Sequence, residues 1–347
     1  MPRLSRTDMQ ERNRARIVDA ARLEFAERGY REARIDAIAD RAELTRGAVY
    51  SNFPGKRALY FEVLAVDAAT VAPPDRTSAA TVRDALGNLA REWAARLPMA
   101  TRTDASLLGL ELMAEVAADQ LTRLPFAQLK LLDAIVLGLA LEHLEDLPVS
   151  RVRLAQAALT LLHGTAQLAA AAPGFGDPFD TVRACQALAD LDLDHANRRR
   201  VHLDPAPAHR PDPAPRWWLP AADDHLGTGP LAPHDGIVAV LGLHRLANIE
   251  DALRAGHETT LAVVTDQPAE LAPLARLSLA ELRNHLRAAV PPDHWPALHV
   301  VVDDKGVLAR GAGIDTVTDV TETALRVRDG RIVARADGWG ACGSIAG

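Results

Sequence analysis

Residues 32–56, EARIDAIADRAELTRGAVYSNFPGK, decide how the chain begins to fold. Ile35, Ile38, Ala39 and Ala42 recur on one helical stripe, and the Thr45 hydroxyl stands where it caps a second, shorter helix whose inward side is Ala48 and Val49. Two helices joined by a turn of a few residues, the second flanked by polar and basic side chains, predict a helix-turn-helix with its recognition helix over residues 45–53. Upstream, from about Asp8 to Arg28, Ile17, Ala20, Ala21 and Phe25 form a stripe that closes a three-helix core over that pair. Arg3 and Arg6 precede it on an arm that reads either as a disordered tail or as a minor-groove or phosphate contact.

The charge is placed to match. Over the whole chain the net charge is −7, but residues 1–60 hold 13 Lys and Arg against 9 Asp and Glu, a surplus of +4 that leaves −11 for the remainder. Phosphate neutralisation depends on the charges that reach the backbone, so the basic end is the DNA-facing end. The two cysteines, Cys185 and Cys342, have no CxxC and no Cys/His ligand spacing, which argues against a disulfide or a zinc site; no metal or cofactor is expected. No apolar run suits a signal peptide or a membrane span, so the expectation is a cytoplasmic protein with no membrane partner.

Residues 41–60, RAELTRGAVYSNFPGKRALY, resemble the DNA-binding signature of the tetracycline-repressor (TetR) family of bacterial transcription regulators, and the Gly29-Tyr30 break stands where that family has one. The resemblance covers about fifty residues. It implies a homodimer on double-stranded operator DNA, and a repressor released by a small, largely apolar effector bound in an all-α body. It also implies a DNA-binding set of Arg34, Thr45, Arg46, Gly47, Tyr50, Ser51, Asn52 and Lys56: Thr45, Tyr50 and Lys56 on phosphates, and Arg46, Gly47, Ser51 and Asn52 at the base edges. Two departures stand in the motif. Glu43 occupies a turn position that often holds Gly, and Ala33 and Arg34 replace the usual hydroxyl cap, leaving Glu32 or water to supply it.

A fourth helix carrying Leu59, Tyr60, Val63 and Leu64 is expected to run to about Thr70 and to link a DNA-binding head, residues 1–70, to an all-helical effector and dimerisation domain, residues 71–200. Breaks are expected near Pro98, Pro125, Pro148 and Pro173-Gly174, and Leu107, Leu108, Leu110, Leu112 and Val116 make the body densely apolar. Trp93, Met99, Met113, Phe126 and His143 are the candidate effector-pocket residues, with core packing the competing reading. The helices predicted near residues 150–172 and 178–197, the first carrying His163 and Gly164, form a four-helix dimer interface by the same resemblance.

Proline then recurs at positions 205, 207, 211, 213, 215 and 220, which predicts a semi-rigid linker over residues 201–220 ending beside Trp217 and Trp218. Residues 221–347 read as an α/β domain, so the fold class is multidomain: two all-α units followed by α/β. GIVAVLGL (236–243) and TTLAVVT (259–265) read as strands and residues 279–289 as a helix. HVVVDDKGVLARGAG (299–313) and ALRVRDGRIVARADG (324–338) each predict a hairpin around an Asp/Gly turn. Those paired segments resemble the second half of thioredoxin-like and peroxiredoxin-like domains. The redox chemistry of such folds needs a low-pKa cysteine after the first strand, and residues 242–255, GLHRLANIEDALRA, contain none; residues 316–325, where a cis-proline is expected, contain no proline. No G-x-S-x-G, P-loop or HExxH motif occurs. The module is therefore expected to be a redox-silent, non-enzymatic binding or docking domain that adds nothing to the recognition helices. The alternatives are an enzyme, a redox or ligand sensor using Cys342 in the glycine-rich end, and a docking domain for a protein partner.

Overall fold

The computed structural model describes residues 6–72, 78–97, 108–109, 111–146, 149–193, 205–212, 214–218, 220–227 and 229–347. Arg3, Met99, Leu107, Leu110 and the basic run at residues 198–200 lie outside the described residues. The head comprises α1 (Arg6–Glu32), α2 (Ile35–Arg41) and α3 (Arg46–Asn52). The long first helix breaks at Gly29, whose φ of 73° is not helical. Next comes α4 (Lys56–Thr70), with Leu59, Tyr60, Phe61, Val63 and Leu64 all buried. A helix apolar around so much of its girth must be covered on several sides.

The body follows as α5 (Val82–Ala95), α6 (Leu112–Ala118), α7 (Gln120–Glu145), α8 (Val152–Ala171) and α9 (Pro178–Leu188). The break expected at Pro125 is absent: α7 starts at Gln120 with Asp119 as its cap and runs straight through. Pro125 is the sixth residue of the helix, so it leaves the Leu121 carbonyl without its usual donor while the helix continues past it. By length and composition α7 is long and apolar enough to cross a membrane, yet 72% of its most apolar window is buried within the protein.

The C-terminal part is one five-stranded sheet of order β3-β2-β1-β4-β5. Its strands are β1 (Gly236–Gly242), β2 (Thr259–Val264), β3 (Leu298–Val302), β4 (Glu322–Arg328) and β5 (Arg331–Asp337). The first three are mutually parallel, and β4 runs antiparallel to both β1 and β5. Helices α10 (Ile249–Arg254), α11 (Pro268–Ala289), α12 (Val307–Gly311) and α13 (Ala341–Ala346) complete the unit. Both β1 and β2 are buried along their whole length, as strands covered on both faces must be.

The two segments read as hairpins diverge. Residues 324–338 do form one, with Asp329 (φ 50°) and Gly330 (φ 65°) making the tight turn between β4 and β5. Residues 299–313 do not. Here the buried Asp303 carboxylate accepts from the backbone N–H groups of Val307 (2.7 Å) and Ala309 (2.8 Å), and the chain after β3 winds into α12 instead of turning back as a strand.

Nor does the proline-rich stretch stand free. His209 exchanges backbone hydrogen bonds with Arg335 of β5 (2.8 Å each way), and the Trp217 N–H donates to the Gly330 carbonyl at 2.9 Å. The segment lies along the outer edge of the sheet, where alternate residues need no donor and proline is tolerated. Trp217 packs on the sheet's outer core, while Trp218 stays exposed.

The largest departure from expectation concerns α11. It packs on α4, α5 and α7 as well as on β3. One continuous apolar core therefore runs from Ile17 and Phe25 in the head, through Leu59 and Leu137, to Leu274, Leu282 and Ile237. Across the α7–α11 contact, the Lys130 ammonium meets Glu281 at 2.6 Å and His285 meets Asp133 at 2.9 Å. Burial opposes the Asp133 charge, but His285 and Lys130 prevail and hold its carboxyl below the ordinary range. Trp93 stacks on His285 and meets His163 edge-on. His163 Nε2 is enclosed without a hydrogen-bond partner, and burial, aided by Lys130, pushes its pKa down to about 4.

The C-terminal part thus shares its core with α4, α5 and α7, and removing it strips them of an apolar cover. A chain ending at residue 204 is expected to lose its cooperative thermal transition and to bind a hydrophobic dye such as ANS. A separable module predicts an unchanged transition, and differential scanning fluorimetry distinguishes the two.

Candidate nucleic-acid interface

The head is organised by a carboxylate that sequence reasoning missed. Glu24 is 1% exposed, and its oxygens meet Arg28 (3.2 Å), Arg41 (3.3 Å) and, at 3.4 Å, the backbone N–H of Arg34. Arg34 is the cap residue of α2 and offers no side-chain cap itself. The acceptor expected from Glu32 or water comes instead from Glu24 on α1, which ties the start of α2 to the scaffold helix. The turn into α3 places Glu43 at φ 51°, the left-handed conformation that the departure from Gly made costly. Its carboxylate reaches Arg16 at 2.9 Å.

The Thr45 hydroxyl accepts from the Ala48 N–H at 3.2 Å and starts α3 as the sequence requires. Val49 and Phe53 are buried in the head core, which fixes the opposite side of α3 outward. On that side Arg46, Gly47, Tyr50 and Ser51 are exposed, and Arg34 is exposed at the start of α2. The Arg46 guanidinium lies 5.5 Å from the Tyr50 ring centroid and 3.4 Å from Asp36, a loose surface arrangement that leaves it able to turn. No side chain stands at Gly47, so the backbone of α3 is open there.

Two members of the expected DNA-binding set are engaged elsewhere. Asn52 is half-buried, and its amide donates to the Ala48 carbonyl at 2.8 Å. The Lys56 ammonium donates to the carbonyls of Tyr30 (2.8 Å), Arg31 (3.1 Å) and Ala33 (3.2 Å) and sits over the Tyr30 ring. It satisfies backbone acceptors freed where α1 breaks and ends.

Behind α3, Arg14 donates to the Asn52 carbonyl (3.1 Å), stacks on Phe53 and pairs with Glu62 of α4 at 3.0 Å. The other oxygen of Glu62 meets Arg276 of α11 at 3.0 Å. At the far end of α4, Asn284 and Arg283 donate to the Ala68 and Ala69 carbonyls (2.8 and 3.1 Å), capping a helix C-terminus with an amide and a cation. Helix α3 is thereby joined to α11 through two ion pairs and one carbonyl.

Residues 17–63 match the family model of bacterial regulatory proteins, tetR family. A 55-residue stretch is 47% identical to the HTH-type transcriptional regulator SrpR of Pseudomonas putida, spanning 16% of this chain and 26% of that protein. The N-terminal region is TetR-like. Among solved structures, a TetR transcriptional regulator from Rhodococcus sp. RHA1 is 17% identical over 52% of this chain and 95% of its own (TM-score 0.37). NalD, the secondary repressor of the MexAB-OprM multidrug efflux pump in Pseudomonas aeruginosa, is 18% identical over 52% and 96% (TM-score 0.33).

Behind the TetR-like head, the four described candidate effector residues each have neighbours in the packed structure, and Met99 lies outside the described residues. Phe126 is buried beneath the Lys130 ammonium, Met113 packs on the core and Trp93 stacks on His285. His143 is exposed, its ring nitrogen meeting the His294 carbonyl at 3.1 Å. A groove of about 600 Å³ lies between α7, α8 and the start of α10, lined by Leu131, Ile135 and Val152 with Arg153, Gln156 and Glu250. A recess of about 140 Å³ lies between α4 and α11, with His225 at its rim. Neither is lined by Trp93, Met113, Phe126 or His143. Both cysteines are buried; burial raises the Cys185 thiol to about 11, and burial with Glu322 and Asp251 raises that of Cys342 as well, so neither is a thiolate near neutral pH.

The position of Lys56 carries a prediction. Replacing it with Ala leaves carbonyls at the end of α1 unpaired and is expected to lower unfolding free energy by roughly 1–2 kcal/mol in urea titrations. A residue used only for phosphate contact predicts no change in stability.

Proposed function

We propose that the chain is a cytoplasmic, homodimeric transcription regulator, a repressor, that binds double-stranded operator DNA through α3. The observation that carries this reading is the outward group of Arg46, Gly47, Tyr50 and Ser51 on a capped short helix within a segment that matches the tetR family model. Arg46 and Ser51 take the base edges, and Gly47 lets the helix backbone approach the groove. Thr45, Tyr50 and Arg34 take phosphates, while Asn52 and Lys56 hold the helix in position.

Dimerisation through α8 and α9 is supported by Leu168, Phe175 and Phe179, large apolar side chains exposed on or between those helices in the single chain (Phe179 is 75% exposed). A small, largely apolar effector is better accommodated in the groove along α7 and α8 than among Trp93, Met113, Phe126 and His143. Control through the C-terminal part is favoured by the Glu62–Arg276 pair and the capping of α4 by α11, which make the tilt of α4 depend on where α11 sits. That part is read as non-enzymatic, supported by the buried thiols and by a segment after β1 that holds no cysteine; its likeness to thioredoxin-like folds stays part of the proposal.

Binding-site selection with the full chain tests the reading. An inverted repeat is expected, with the two half-sites one helical turn apart or a multiple of it. Arg46→Ala is expected to relax one base pair per half-site, at a loss of roughly 1–3 kcal/mol of discrimination. Failure to enrich any sequence overturns the proposal; an unchanged consensus for Arg46→Ala overturns the assignment of that residue.

A further inference from the structure

The parallel strands β1, β2 and β3 bring together, at their amino ends, three residues that are far apart in sequence. His234 lies two residues before β1, Glu258 immediately before β2, and His299 at the second position of β3. One ligand atom from each lies within 4.8 Å of those of the other two. His299 Nε2 is 3.1 Å from Glu258 Oε1, His234 Nδ1 is 3.9 Å from Glu258 Oε2, and the two imidazole rings are 5.1 Å apart. In a tetrahedral site with metal–ligand distances of 2.0–2.1 Å, ligand atoms stand about 3.4 Å apart. The three groups need only small side-chain rotations to reach that spacing.

We propose that His234, Glu258 and His299 form a binding site for a divalent transition-metal ion of the zinc type. What separates the cluster from an ordinary surface ion pair is that the far nitrogen of each imidazole is already held. His299 Nδ1 lies 2.8 Å from Asp224 Oδ2, leaving Nε2 directed at Glu258. Asp224 is itself fixed, its other oxygen accepting from the N–H groups of Leu226 and Val300 at 3.0 Å each. His234 Nε2 lies 2.7 Å from the hydroxyl of Thr260, which is 1% exposed, and that contact leaves Nδ1 as the ligand atom. Nδ1 now meets the Asp235 carbonyl at 3.2 Å, a contact the ion replaces. Carboxylate or hydroxyl partners on the far nitrogens are the usual means of setting tautomer and ring orientation in histidine metal sites.

The backbone is shaped for this approach. At Gly236 a Cβ would stand 2.0 Å from the Glu258 carbonyl oxygen, and at Gly227 one would stand 2.6 Å from Asp224 Oδ2. Only glycine lets β1 come so close to the backbone of Glu258, and lets the loop before β1 fold so tightly around Asp224, the partner of His299. The Glu258 side chain is 45% exposed and that of His299 31%, so an ion reaches the site from solvent and a fourth position stays open to water. Two imidazoles and one carboxylate suit zinc-type ions and not the hard, oxygen-seeking magnesium or calcium.

The test is calorimetric titration of Zn²⁺ into the full-length chain, stripped with chelator and free of any polyhistidine tag, with visible absorption of the Co²⁺ form as a second readout. One ion per chain is expected, with ligand-field bands for Co²⁺. His234→Ala and Glu258→Gln are each expected to weaken binding at least about 100-fold. Thr260→Val, which removes only the hydroxyl partner, is expected to weaken it about 10-fold. Glu258→Gln keeps shape at a half-exposed position, so the result stands even where a histidine variant fails to fold. Absence of saturable binding, or an affinity unchanged by Glu258→Gln, overturns the site and leaves His299 as an ion-pair residue between two carboxylates.

Discussion

The burial of α11 against α4 is the contact on which the rest of this structure depends. Leu59, Phe61 and Val63 of α4 and Leu271, Leu274 and Leu282 of α11 are at most 1% exposed. Apolar area removed from water is stabilising by roughly 25 cal/mol per Å², so neither helix keeps its position without the other. Because α4 also closes the three-helix head and α11 also covers one face of the sheet, a single core spans the chain from the helix-turn-helix head to its last strand. The sheet is therefore a structural part of the same packed unit as the head, positioned by the same contacts.

Polar interactions give that core its direction. A chain of contacts runs from the Asn52 carbonyl at the end of α3 through Arg14, Glu62 and Arg276, while Asn284 and Arg283 hold the other end of α4. Much of it is partly shielded from solvent, and each member answers to a partner on another element, so it constrains geometry more than it adds stability. A ligand on the C-terminal part shifts the head only as far as its affinity differs between two placements of α11.

The head was legible in the sequence because its signals are local. Thr45 caps within three residues of its partner, and the stripes of α1 and α2 need no distant information. Glu24 was not legible as the organiser of the turn, since its partners Arg34 and Arg41 lie ten and seventeen residues away on another helix. The Asp329-Gly330 turn was readable from a dipeptide, whereas Asp303-Asp304-Lys305-Gly306 looked alike and became a helix start because a buried carboxylate turned back onto Val307 and Ala309. Proline misled twice: Pro125 sits where a helix tolerates it, and the proline-rich stretch lies along a sheet edge. The packing of α11 on α4 joins residues more than two hundred positions apart, and no periodicity in either helix names its partner. The His234, Glu258 and His299 cluster was hidden for the same reason: strand register, and not sequence spacing, brings them together.

Native-state hydrogen exchange on the full chain tests the shared core most directly. If α4 and α11 form one packed unit, the slowest amides of residues 58–65 and 271–286 exchange through one opening, with the same free energy and the same dependence on denaturant. Exchange of α11 through a separate opening of lower energy, while α4 stays protected, would contradict the account and return the C-terminal part to the status of an appended module.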